Sequence, residues 1–222
     1  LVQTIAGFAA GLIAVPIMLF VMELPEAIAL LSVLLVIFSA IMLYRTRHSV
    51  DKKVVITLLI GAIPGLVIGV IILKYANPII LKNMLGIVCI LYVGNYYVKK
   101  RKIKALNRLG AGIGFLGGIF SGLFAVGSPF HVIYITNQID KANIIRGTII
   151  GVLGVNNFIR PLVLAGTGIL TADIFIKALI VLPFFLIAMF LGEKLYGKIN
   201  DSLFKNIVMV LLLIIGISLF LR

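Results

Sequence analysis

Arg160 is preceded by Asn156 and Asn157 and followed by Pro161, in a stretch otherwise free of charge. Positions 156 and 160 lie four apart, so on a helix they share one face. A guanidinium offers five donors in a rigid fork that matches the oxygens of an oxyanion, and amides add neutral donors and acceptors. The chemistry this set can perform is anion binding. The competing reading is that Arg160, close to the Gly166-Thr167-Gly168 turn, merely reaches the membrane interface with its charged head. His131 is the one candidate proton carrier within an apolar run. It is equally suited to bonding a backbone carbonyl left open nearby.

His131 follows an unusual run, Gly117-Gly118-Ile119-Phe120-Ser121-Gly122-Leu123-Phe124-Ala125-Val126-Gly127-Ser128-Pro129. Glycine and proline at this density break helices. A helix N-terminus at such a break presents free N–H groups and a positive dipole end, which suit an anion. The alternative is tight helix packing, for which Gly7-xxx-Gly11 and Gly118-xxx-Gly122 would serve. The candidate binding residues are therefore Gly7, Gly11, Pro16, Ser121, Gly122, Gly127, Ser128, Pro129, His131, Asn156, Asn157 and Arg160. No catalytic triad, metal cluster or phosphate loop is visible, so neither a cofactor nor an enzyme activity is expected. The lone Cys89 permits no disulfide framework.

The elements that must hold these residues are set by composition. The 222 residues are 62% hydrophobic and 12% charged, with a mean hydropathy of +1.25. Soluble chains run at roughly half apolar and a quarter charged, so the solvent is lipid. A net charge of +13 would suggest nucleic acid in a soluble protein. Here ten of the twenty basic residues fall in two short loops, 45–53 and 99–108, where the positive-inside rule places them. Nucleic acid is not expected as a partner; the bilayer is, with pairing into a homodimer as a further option. The chain begins at Leu1 rather than Met and reads as lacking a few N-terminal residues and any cleavable signal.

Charge-poor runs mark helical spans at Leu1–Met22, Ala27–Tyr44, Val54–Leu73, Ile79–Val98, Ala142–Ala165, Ile174–Gly192 and Leu203–Leu221, with Glu23-Leu24-Pro25-Glu26 as a corner. Leu109–Ile139 does not fit one span. As a single helix it would measure roughly 46 Å against ~30 Å of hydrocarbon, so a discontinuous or re-entrant segment is expected.

The chain also repeats itself. Gly7-Phe8-Ala9-Ala10-Gly11-Leu12-Ile13-Ala14-Val15-Pro16 aligns with Gly118–Val126 followed by Pro129, and Asn77, Lys82 and Asn83 match Asn200, Lys205 and Asn206 at an offset of 123. The expected fold is an all-α polytopic membrane protein of about 8–10 membrane segments. Its two repeated halves, 1–98 and 109–222, flank a basic cytoplasmic linker at 99–108, and the first and fifth segments are discontinuous. Paired breaks in corresponding positions are the sequence signature of a transporter's central site.

The Gly-x-x-x-Gly-Leu block with its following proline, present in both halves of a small chain, resembles the sulfite exporter TauE/SafE family from Gln3 to Leu221. Family members have a richer glycine run before the proline. Ala14-Val15-Pro16 has lost it, while Val126-Gly127-Ser128-Pro129 keeps part. The resemblance implies a multi-pass cell-membrane permease moving sulfite or organosulfonates. No Asp or Glu lies well inside a span, whereas proton-coupled pumps normally keep one there. Potential-driven export of a small anion is therefore the expected mechanism.

Overall fold

The computed structural model describes residues 10–97 and 109–195, with 209–210, 213–214 and 216–217 near the C-terminus. Gly7 and the basic linker 99–108 lie outside the described residues. Among those described the chain is helical and has no strand. The helices are α1 (Ala10–Met18), α2 (Leu24–Thr46), α3 (Lys52–Tyr75), α4 (Pro78–Tyr97), α5 (Gly110–Phe124), α6 (Ser128–Gln138), α7 (Ala142–Gly166) and α8 (Ala172–Leu195). Helices α2, α3, α7 and α8 contain apolar stretches long enough to cross a bilayer, whereas those of α4 and α5 are shorter.

Local chemistry sets the helix starts. Leu24, Pro25 and Glu26 form the first turn of α2 rather than a corner, since proline in the first turn gives up an N–H that has no intrahelical partner anyway. Asp51 caps α3 by accepting from the Val54 N–H at 3.1 Å. Helix α1 runs through Pro16 and ends at Met18, so the chain turns after the helix rather than at the proline.

The packing of α3 on α5 governs the architecture. Gly61, Gly65 and Gly69 of α3 face Ala111, Phe115 and Ile119 of α5, while Gly114, Gly118 and Gly122 face Leu58, Ala62 and Leu66. A Cβ at most of these positions would collide with a carbonyl oxygen of the opposite helix. The two backbones touch along their length, the close approach that small residues at four-residue spacing allow. Residue numbers rise together along the seam, so α3 and α5 are parallel.

Helix α6 then runs back along α5, with His131 against Gly117 and Tyr134 against Gly110. The 15-residue α5 and 11-residue α6 measure about 22 Å and 16 Å. They form a hairpin whose two open ends lie toward the Thr46–Lys52 end of the bundle. Helix α7 starts at that same end, where Gly147 packs on the Ser49 carbonyl and Thr148 Oγ accepts from the Asp51 N–H at 3.0 Å. It finishes beside the end of α3, where Lys74 Nζ donates to the Thr167 carbonyl at 2.6 Å. Cys89 is buried in α4.

Candidate functional site

The hairpin tip is built by a left-handed residue. Helix α5 ends where Ala125 takes φ 57°, the only non-glycine residue with positive φ among those described. Its N–H bonds back to carbonyls of the last turn, the usual way a helix end is closed, though with glycine in that place more often. Gly127, by contrast, has φ −90°. Its missing side chain serves space: a Cβ would sit 2.5 Å from the Gly117 carbonyl oxygen, 2.9 Å from Ser121 Cβ and 3.1 Å from His131 Cε1. Pro129 starts α6 in its first turn, and Phe130 stacks on Phe120 across the hairpin at 4.9 Å.

This packing brings Gly117, Ser121, Gly127 and His131 into contact, and α7 completes the cluster. Arg160 is 1% exposed, and its Nη2 donates to Ser121 Oγ at 2.6 Å. The guanidinium therefore stays in the interior, and the competing reading, in which it reaches the interface, does not hold. Its Nε and Nη1 have no hydrogen-bond partner among the described residues. Asn156, one turn earlier on the same face and fully buried, has both amide atoms unpartnered. The His131 nitrogens likewise lack a well-formed hydrogen bond, with only a loose approach to the Gly114 carbonyl. Asn157 is engaged, its Nδ2 donating to Ser39 Oγ of α2 at 2.8 Å.

A buried guanidinium costs several kcal/mol of lost hydration. One hydrogen bond to Ser121, at about 1.5–3 kcal/mol for a charged group, does not offset that. The unpartnered donors number more than the acceptors, which suits an oxyanion rather than a cation. A separate open cavity of about 540 Å³ lies at the other end of α2, lined in part by Glu23, Glu26 and Lys82. Two carboxylates against one ammonium make it a poor place for an anion.

Of the twelve residues singled out by sequence, Ser121, Gly127 and His131 come together in contact and Arg160 joins them through Ser121, with Ser128 and Pro129 at the adjoining helix start and Asn156 and Asn157 on α7. Gly122 does not join them; it faces Leu66 and Val70 of α3. Gly11 and Pro16 lie in α1. Gly117 was not among the candidates, and Ser39, one of several neutral donors within the spans, was left out of the binding set. Ser39 has the composition of a serine bonded to its own helix, as Ser32 is to the Ile28 carbonyl at 2.6 Å, and only the α2–α7 contact distinguishes it. The ridge at Gly61, Gly65 and Gly69 was also missed, although its four-residue spacing is a signal the sequence carries.

Long apolar helices around a buried, under-satisfied guanidinium and a helical hairpin define a helical membrane permease. The chain belongs to the sulfite exporter TauE/SafE family, whose profile matches residues 1–219. That family comprises transporters rather than enzymes. It is also similar to a protein of Cupriavidus necator (strain ATCC 17699 / H16) named probable sulfite/organosulfonate exporter TauE. The two are 29% identical over 228 residues, spanning 99% of this chain and 88% of that protein. No solved structure matches the chain.

Proposed function

We propose that this protein is a multi-pass permease of a prokaryotic cytoplasmic membrane that exports sulfite or organosulfonate anions through a site centred on Arg160. The observation that carries the reading is the buried guanidinium with Nε and Nη1 unpartnered and Ser121 as its only hydrogen-bond partner among the described residues. An oxyanion seated there accepts the remaining donors and supplies the missing counter-charge. His131, Asn156 and the start of α6 orient it. The name of the Cupriavidus necator relative supports sulfite or an organosulfonate as that anion.

In the bilayer, α5 and α6 form a re-entrant pair, each too short for the ~30 Å core. Irregular backbone at that depth is tolerated where it is enclosed by protein or lines a wet cavity, and the Ala125–Gly127 tip meets this condition beside Arg160. The order of a short element followed by two long helices recurs as α1–α2–α3 and α6–α7–α8, with α2 running opposite to α7. This supports inverted halves, with the α6–α7 junction and Lys141 on the cytoplasmic side together with the basic 45–53 loop. With Cys89 replaced by alanine, Lys141→Cys should react with an impermeant maleimide only in inside-out vesicles. Labelling of intact cells would exclude the inverted arrangement.

Export of a monovalent anion from an inside-negative cell is downhill by ~2.3 kcal/mol per 100 mV, about a fifty-fold concentration ratio. Proteoliposomes holding radiolabelled sulfite should therefore release it faster when valinomycin makes the lumen negative, and His131→Ala, which removes one orienting group and lowers the overall rate, should keep the same dependence on voltage. Flux that ignores voltage, follows a pH gradient and vanishes in His131→Ala would establish proton coupling instead. Absence of flux for sulfite and every sulfonate would dismiss the permease reading.

A further inference from the structure

Charge counting narrows the substrate. Arg160 is the only buried cation among the described residues. Lys82 is half-buried one turn into α4, and Lys74, Arg146 and Lys177 are exposed near helix ends. Among the described residues the acidic positions fall at helix starts, ends or loops: Glu23 and Glu26 at the start of α2, Asp51 capping α3, Asp140 between α6 and α7, and positions 173 and 193 in the first and last turns of α8. Among the described residues the guanidinium bonds Ser121 of α5, which meets His131 of α6 across Gly127; Asn156 lies one turn before Arg160 on α7, beside Asn157, which bonds Ser39 of α2, and none of these residues carries a fixed charge.

We infer that the site accepts oxyanions of a single negative charge and rejects dianions, so that hydrogen sulfite rather than sulfite dianion is the species bound. The inference rests on the permease reading above and deepens it. A monoanion on Arg160 makes a neutral pair. A dianion leaves one uncompensated negative charge among apolar helices, and an unpaired buried charge is the costliest arrangement a low-dielectric interior can hold. The unpartnered atoms agree with this. Asn156 Oδ1 and whichever His131 nitrogen is unprotonated are acceptors, and the acidic O–H of hydrogen sulfite is a donor that sulfite dianion lacks. Sulfonates that bear no second acid group carry one negative charge and meet the charge requirement without using the acceptors.

Methanesulfonate and sulfate test this directly, because they are nearly the same size and differ by one charge. In proteoliposomes at fixed pH, with protein-free vesicles as baseline, methanesulfonate flux should exceed sulfate flux at least tenfold. Sulfur(IV) flux should fall as pH rises, following the hydrogen sulfite fraction, while methanesulfonate flux stays level and so excludes titration of His131 as the cause. Asn156→Lys places a second charge on the Arg160 face of α7 and should raise the sulfate-to-methanesulfonate ratio at least tenfold. Sulfate flux within threefold of methanesulfonate, or sulfur(IV) flux that climbs with pH, overturns the inference and leaves the permease reading standing. The wild-type comparison decides the matter even where Asn156→Lys does not fold. If neither methanesulfonate nor sulfur(IV) moves at any pH, the permease reading fails and this inference with it.

Discussion

Arg160→Gln should lower sulfite flux in proteoliposomes at least a hundredfold while the protein remains folded. Removing one partner of a buried ion pair costs about 3–5 kcal/mol because the other charge is left uncompensated. At ~1.4 kcal/mol per tenfold that is a hundredfold or more. The free protein loses only one hydrogen bond, to Ser121, and is relieved of a buried charge that this bond does not satisfy. Its thermal midpoint should therefore hold or rise. Arg160→Lys keeps the charge and loses the fork, so flux should fall roughly tenfold, between wild type and glutamine. A glutamine variant that retains flux within threefold would remove Arg160 from the site. The opposed signs matter: a residue of purely structural importance would lower stability and flux together.

Gly65→Val should prevent assembly of a stable bundle. A Cβ at 65 collides with the Phe115 carbonyl oxygen of α5, and the adjacent positions 61 and 69 are equally closed, so the side chain fits only if the helices separate. Overpacking costs about 1–3 kcal/mol where side chains can yield; backbone cannot, and the cost here exceeds that range. A drop in thermal midpoint on the order of 10 °C, or loss of the monodisperse peak in detergent, is expected. Gly118→Val, facing Ala62 from the other side, should behave alike. Gly112→Ala is the control. Nothing lies within 4 Å of its would-be Cβ, and alanine in a helix is favoured over glycine by roughly 0.5–1 kcal/mol. Equal stability of Gly65→Val and Gly112→Ala would show that the α3–α5 seam is not the contact described.

Much of the architecture followed from composition and charge placement. An apolar run of about twenty residues has one stable form in lipid, since every backbone group must bond within its own segment. Hence α2, α3, α7 and α8 could be located to within a few residues. The interruption inside Leu109–Ile139 was equally legible, because its length suits neither one crossing nor two. Which glycines do what could not be read this way. Gly118 and Gly122 look like Gly127, yet they press on α3 while Gly127 clears room for Ser121 and His131. The φ that turns the chain belongs to Ala125, a residue with no turn signature.

Arg160 shows the same division. Its type and its spacing from Asn156 are sequence facts, and they announce anion chemistry. Whether the guanidinium reached the interface or stayed inside was open, because its flexible arm spans either distance. That choice depended on Ser121, 39 positions earlier and on another helix. Likewise the pairing of Asn157 with Ser39 joins residues 118 positions apart. Local sequence determines which segments are helices and which side chains could bind. Only the packing of α5 and α6 against α7 decides which of those side chains meet, since it depends on backbone approach between distant segments rather than on any one segment's pattern.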